Sequence, residues 1–168
     1  MKTIMFLDID GVLNSINWMK VRNDRTKKID PTNIDNINKF IDYHACDIVL
    51  SSSWRIIYDI GEIKNYLKSN GLIGNIIDKT PILYDSEKNR GSEIKLWLTE
   101  NDYKNDKFVY DKNKLFKNLY KVPYIIIDDD TDMLYEQKDH FLKTETETGF
   151  TKKNYYEANV IMYKQYEG

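Results

Sequence analysis

The residues with the clearest capacity for chemistry are two carboxylates set two positions apart. Asp8-Ile9-Asp10-Gly11-Val12-Leu13-Asn14 follows the apolar run Thr3-Ile4-Met5-Phe6-Leu7. Side chains at i and i+2 share a face while the strand stays extended, so Asp8 and Asp10 can address one site. Gly11 then permits a sharp turn at positive φ. Carboxylates held so close repel unless a cation or a shared proton relieves them. A hard divalent ion such as Mg²⁺ suits one or two carboxylates plus a substrate phosphate. Taken alone, the same pattern also describes a turn carrying two solvated aspartates. Two further polar clusters occupy equivalent positions. Ser51-Ser52-Ser53 follows Asp47–Leu50, and Asp128-Asp129-Asp130 follows Tyr124–Ile127. The plain alternatives are a helix cap for the serines and an exposed acidic loop for the aspartates.

The three apolar runs that precede these clusters are short, β-branched and without alternation. Such runs read as strands buried on both faces, as in parallel sheets. Helical spacing lies between them. Ile34, Ile37, Phe40 and Ile41 share one face, with Asp30 and Pro31 suited to cap and first turn. Ile60, Ile63 and Leu67 share another, closed by Gly71. Ile94, Trp97 and Leu98 form a third, and a C-terminal helix from Thr151 carries Tyr155, Ala158, Val160 and Met162. Short strands near Leu72–Ile77 and His140–Lys143 bring the sheet to about five strands. Strands alternating with helices specify a doubly wound α/β fold, here a single domain over residues 1–168. Ligands of such sheets bind beyond the carboxyl ends of the strands, where all three clusters fall.

At these residues the chain resembles the haloacid dehalogenase (HAD) superfamily. Asp8-Ile9-Asp10-Gly11-Val12-Leu13 resembles its first motif, an acidic DxDG turn after the first strand. Ser51 resembles the hydroxyl residue of the second motif, and Asp128-Asp129 the acidic pair of the fourth. The order is the family's, and the likeness runs from Asp8 to about Thr151. Ser51-Ser52-Ser53-Trp54-Arg55, Arg90 with Glu93-Ile94, and Lys143-Thr144 with Gly149-Phe150-Thr151 resemble a small branch associated with RNA repair. Val12 departs from the threonine that many members carry there, although nucleotidase-like members also place a hydrophobic residue at that point.

The resemblance implies a Rossmann-like fold with a mainly parallel sheet and a Mg²⁺-dependent phosphomonoesterase. Asp8 would form an aspartyl-phosphate, and Asp10 would act as general acid and then base. The ion would take the Asp8 carboxylate, the Asp10 backbone carbonyl and Asp129, with Asp128 orienting the site. Ser51 would donate to a phosphoryl oxygen, helped by the helix N-terminus behind it. Arg90, by likeness to the third motif, would offset the charge of Asp8 and the phosphate, with Lys88, Lys79 and Lys95 as competitors. Ser52, Trp54 and Arg55 are the expected substrate-binding residues, though packing beneath the loop is the stronger of two readings for Trp54.

The segment from Asn14 to Ala45 is too short for a large cap, which leaves an open site. The expected substrate is a phosphorylated small molecule, such as a nucleotide, or a nucleic-acid end. Lys20, Arg22, Arg25, Lys27 and Lys28 crowd the loop after the first motif and could steer an anionic strand. Trp18 and Trp54 could stack on bases. The segment Asn101–Val122, rich in Lys, Asn and Tyr, is either a flap or a connecting loop.

Composition removes other classes. The 168 residues carry 25 Lys+Arg against 27 Asp+Glu, so no global basic field advertises nucleic acid. Cys46 is the only cysteine, which excludes an internal disulfide framework and suggests a reducing, cytoplasmic setting. No run approaches the ~20 apolar residues of a membrane-spanning helix. His44 and His140 lack zinc-ligand spacing, and a partly positive His44 would suit the end of its helix. No Gly-rich Walker or dinucleotide loop is present. Two non-enzymatic readings stay open, a receiver-like phosphoacceptor and a nucleic-acid-binding module. The i, i+2 acidic pair followed by Gly11 favours the enzyme.

Overall fold

The computed structural model describes residues 3–26, 28–84, 89–105 and 122–167. Lys27, Lys88 and most of the segment between Asn101 and Val122 lie outside the described residues. Five strands form one sheet, all parallel, in the order β3-β2-β1-β4-β5. They are β1 (Thr3–Leu7), β2 (Cys46–Leu50), β3 (Asn75–Lys79), β4 (Tyr124–Asp128) and β5 (Phe141–Lys143). The helices are α1 (Ile16–Val21), α2 (Pro31–His44), α3 (Trp54–Ile57), α4 (Ile60–Ser69), α5 (Arg90–Asn105) and α6 (Lys152–Glu167), with a 3₁₀ turn at Tyr135–His140. The fold is α/β and Rossmann-like, as the strand–helix alternation predicted.

Side chains alternate across a strand, so the sheet feeds two cores. Met5, Leu7, Ile48, Leu50, Ile125 and Ile127 pack on the side covered by α2, α4 and α6. Phe6, Val49 and Ile126 face the other side, under Ile94 and Trp97 of α5. A Phe6–Trp97 edge contact at 5.4 Å seals that second layer.

Local chemistry explains the helix ends. The Asp30 side chain accepts the Thr32 N–H at 2.9 Å, and Pro31 opens α2. Asp59 and Glu62 form a reciprocal capping box on α4, and Gly71 turns the chain beyond it at φ +95°. His44 departs from the expected charged cap. It is buried, its Nε2 pairs with Asn159 Oδ1 at 2.9 Å and its Nδ1 with the Tyr166 hydroxyl at 3.1 Å. Burial lowers its pKa, which favours the neutral ring.

Two strand boundaries also differ from expectation. β3 begins at Asn75 rather than Leu72, because Leu72 is buried in the turn that closes α4. The strand runs on to Lys79, where the Trp97 indole holds the Asp78 carboxylate at 2.8 Å. The turn Tyr135–His140 takes His140 out of β5.

Arg55, one of the expected substrate-binding residues, is turned into the fold. Its side chain is 3% exposed, with Nη1 donating to Ser51 O at 2.5 Å and Ser52 O at 2.7 Å, and Nε donating to Thr80 O at 3.2 Å. Nη2 ion-pairs with Glu93 of α5. The guanidinium is committed internally, tying the ends of β2 and β3 to α5. Removing one partner of such a pair strands a buried charge, so Arg55→Ala should lower stability by about 3–5 kcal/mol. Urea unfolding measures this, and a loss below about 1 kcal/mol would show that the pair does not brace the fold.

Candidate active site at the carboxyl edge of the sheet

Strand register assembles the site. Leu7 pairs with Leu50 on one side and Ile127 on the other, so Asp8, Ser51 and Asp128 follow side by side. Asp8 N–H donates to Ile127 O and Ser51 N–H to Leu7 O, each at 3.1 Å. The strand order reverses between β1 and β4, and this edge lies at that switch point. Carboxylate oxygens of Asp8, Asp128 and Asp129 all lie within 4.8 Å of one another.

The turn after β1 is held close to Asp129 by glycine. Gly11 adopts φ +69°, and a Cβ there would stand 2.1 Å from Asp129 Oδ2. The segment around β5 clasps the same turn. Thr144 Oγ1 donates to Gly11 O at 2.8 Å, Phe150 N–H to Val12 O at 2.8 Å, and Thr146 Oγ1 to Asp129 Oδ2 at 2.6 Å. Gly149, at φ +66°, lets the clasp approach Val12 O and Asn33.

Arg90 opens α5, where the Asp132 carboxylate accepts its backbone N–H at 2.8 Å. Its Nη1 lies 3.1 Å from Asp8 Oδ1 and 3.2 Å from Asp128 Oδ2, and donates to Ser51 O at 2.6 Å. Among its competitors, Lys79 points to Arg55 O at 3.4 Å and Lys95 pairs with Glu136 on the surface. One guanidinium does not balance the acids. Burial drives the Asp8 carboxyl upward, opposed mainly by Arg90. Burial and then the Asp8 charge push Asp128 up to about 7.

Asp10 stands apart from the three-carboxylate group. Its Oδ1 accepts from Asn14 Nδ2 at 2.6 Å and its Oδ2 from the Trp54 indole N–H at 2.8 Å. The half-buried Trp54 therefore both packs and touches the site. Ser52 is buried, and its side chain favours the charged form of Asp8. Ser51 Oγ and Asp128 Oδ2 are buried without a hydrogen-bond partner, the Arg90 contact being an ion pair lacking hydrogen-bond geometry. The helix behind the serines is the single turn α3, and Ser53 makes no side-chain cap bond to it. Sequence singles out Thr144 only through the family resemblance, without its bond to Gly11, and does not disclose Thr146 or the bracing role of Asn14. Asn14 sits four residues after Asp10, but nothing in local sequence links Thr146 to Asp129.

The family model for the HAD domain in Swiss Army Knife RNA repair proteins matches residues 4–155. The chain belongs to that family. No curated protein and no solved structure matches it. In this HAD domain the segment between β1 and β2 holds only the two helices α1 and α2 among the described residues. No described helix is long and apolar enough to cross a membrane. The site also fits a hard divalent cation. Three carboxylates converge, one buried oxygen of Asp128 lacks a hydrogen bond, and the ligands are all oxygen.

These shifts set a pH dependence for the metal-free HAD domain. An acid whose folded pKa is raised stabilises the fold while protonated, and that contribution is lost as pH rises toward the folded value. For Asp128 the window runs from its ordinary 3.8 to about 7. Thermal unfolding in chelator should therefore show stability falling from pH 5 to pH 7.5. Asp128→Asn should flatten that fall, and identical profiles would contradict the assigned cause.

Proposed function

We propose that this HAD domain is a Mg²⁺-dependent phosphomonoesterase acting on a nucleotide or a nucleic-acid terminal phosphate through an aspartyl-phosphate. The observation that carries the reading is the convergence of Asp8, Asp128 and Asp129 with Arg90, beside two buried oxygens that lack hydrogen bonds. Family membership supports a phosphohydrolase in RNA repair.

Asp8, Asp129 and the Asp10 backbone carbonyl would hold the ion, with Asp128 beside them. When bound, Mg²⁺ supplies charge neutralisation for the acids and the phosphate. The Asp8 carboxylate attacks phosphorus while the ester P–O bond breaks, and Asp10 gives its proton to the leaving oxygen. Water then attacks the phosphorus of the intermediate, Asp10 takes the water's proton, and Asp8 is released. Asn14 and Trp54 hold both oxygens of Asp10 and so fix its direction. Arg90 favours ionised Asp8, the form a nucleophile requires. The unpartnered Ser51 hydroxyl is free to donate to a phosphoryl oxygen.

Phosphate release with Mg²⁺ tests the reading on nucleoside monophosphates and on 3′- or 5′-phosphorylated oligoribonucleotides. Asp8→Asn should reduce release to background with the fold intact, and Asp10→Asn should slow it roughly 10²–10⁴-fold. Full activity in Asp8→Asn would overturn the mechanism. Stable phosphorylation of Asp8 without turnover would point instead to a phosphoacceptor.

A further inference from the structure

Beside the carboxylates, and sharing no residue with them, lies a cavity of about 310 Å³. That is the lower end of the range for small-molecule sites. Its walls are aromatic. Trp54 of α3, Tyr58 just after it and Tyr66 of α4 line the space, with Ile63 beneath. The Trp54 ring lies 5.7 Å from both Tyr58 and Tyr66. Thr26, Lys28 and Glu62 complete the lining. The Lys28 ammonium sits 5.4 Å over the Trp54 ring, and the Tyr66 hydroxyl accepts the Lys28 backbone N–H at 3.4 Å.

Trp54 joins this cavity to the chemistry. One side of the indole forms the wall, while its N–H donates to Asp10. A ligand stacked on that ring therefore lies one side chain away from the proposed acid/base. We infer that the cavity is a nucleobase subsite, taking the base of the nucleotide whose phosphate is placed at Asp8. Planar π-faces suit any base, and stacking on them is sequence-tolerant. The Lys28 cation beside Trp54 favours the attached phosphates. This assignment rests on the proposed phosphatase reading for the orientation of the ligand, and on the cavity alone for binding of the base.

Two measurements separate the cavity from the catalytic reading. The first compares kcat/KM on phosphorylated oligoribonucleotides whose terminal residue carries or lacks its base. Wild type should prefer the base-bearing substrate. Tyr58→Ala, at a residue 42% exposed, should cut that preference by about five- to 150-fold, the cost of one stacking face. The base-free rate serves as each protein's own reference. The second titrates unphosphorylated nucleosides against tryptophan fluorescence. Saturable quenching should occur in wild type, be weakened by Tyr58→Ala and be absent in Trp54→Phe. Equal rates with and without the base, together with no quenching, would overturn the subsite and leave the phosphatase standing. Saturable quenching without phosphate release from any substrate would support the subsite and overturn the phosphatase. A preference for a phosphotyrosine peptide over every nucleotide would overturn the nucleobase assignment.

Discussion

The structure depends on holding two buried carboxylates, Asp8 and Asp128, next to each other with one guanidinium between them. In water such a pair would separate. Here parallel register forbids it, since Asp8 directly follows β1 and Asp128 ends β4, and the two strands pair from Ile4–Tyr124 to Leu7–Ile127. The resulting charge is only partly balanced by Arg90, and the upward pKa shifts of both acids express the remainder. A site with that imbalance is built to take up positive charge. A cation held among Asp8, Asp128 and Asp129 would relieve it.

Much of the surrounding architecture keeps this imbalance in place. Arg55 and Glu93 form a second buried pair that anchors α5 to the ends of β2 and β3. That anchoring positions Arg90, which opens the same helix. From the opposite side, Thr144, Thr146 and the Gly149-Phe150 turn fix Gly11 and Asp129. Asp10 is left at the exposed rim, where Asn14 and Trp54 hold its two carboxylate oxygens. The acid least burdened by burial is thus the one assigned to move protons.

Sequence made the core of this arrangement legible because its signals are local. Apolar runs ending in Asp8, Ser51 and Asp128 predict neighbouring strand ends, and parallel pairing aligns them. Asp30-Pro31 likewise announces α2 through its own capping chemistry. What sequence did not disclose depends on distant partners. Arg55 reads as a cation near the site until Glu93, 38 residues on, claims it. His44 reads as a helix-end cation until Asn159 and Tyr166 bury it. Trp54 could not be divided between packing and function, since its ring face and its N–H have different neighbours.

The most direct test of the central claim is a crystal structure with Mg²⁺ and beryllofluoride, which mimics a phosphoryl group on a carboxylate. The account predicts beryllium bonded to the Asp8 carboxylate, the ion among Asp8, Asp129 and the Asp10 carbonyl, and Ser51 Oγ donating to a fluoride. Beryllofluoride bound to another carboxylate, or an ion seated away from these residues, would contradict it.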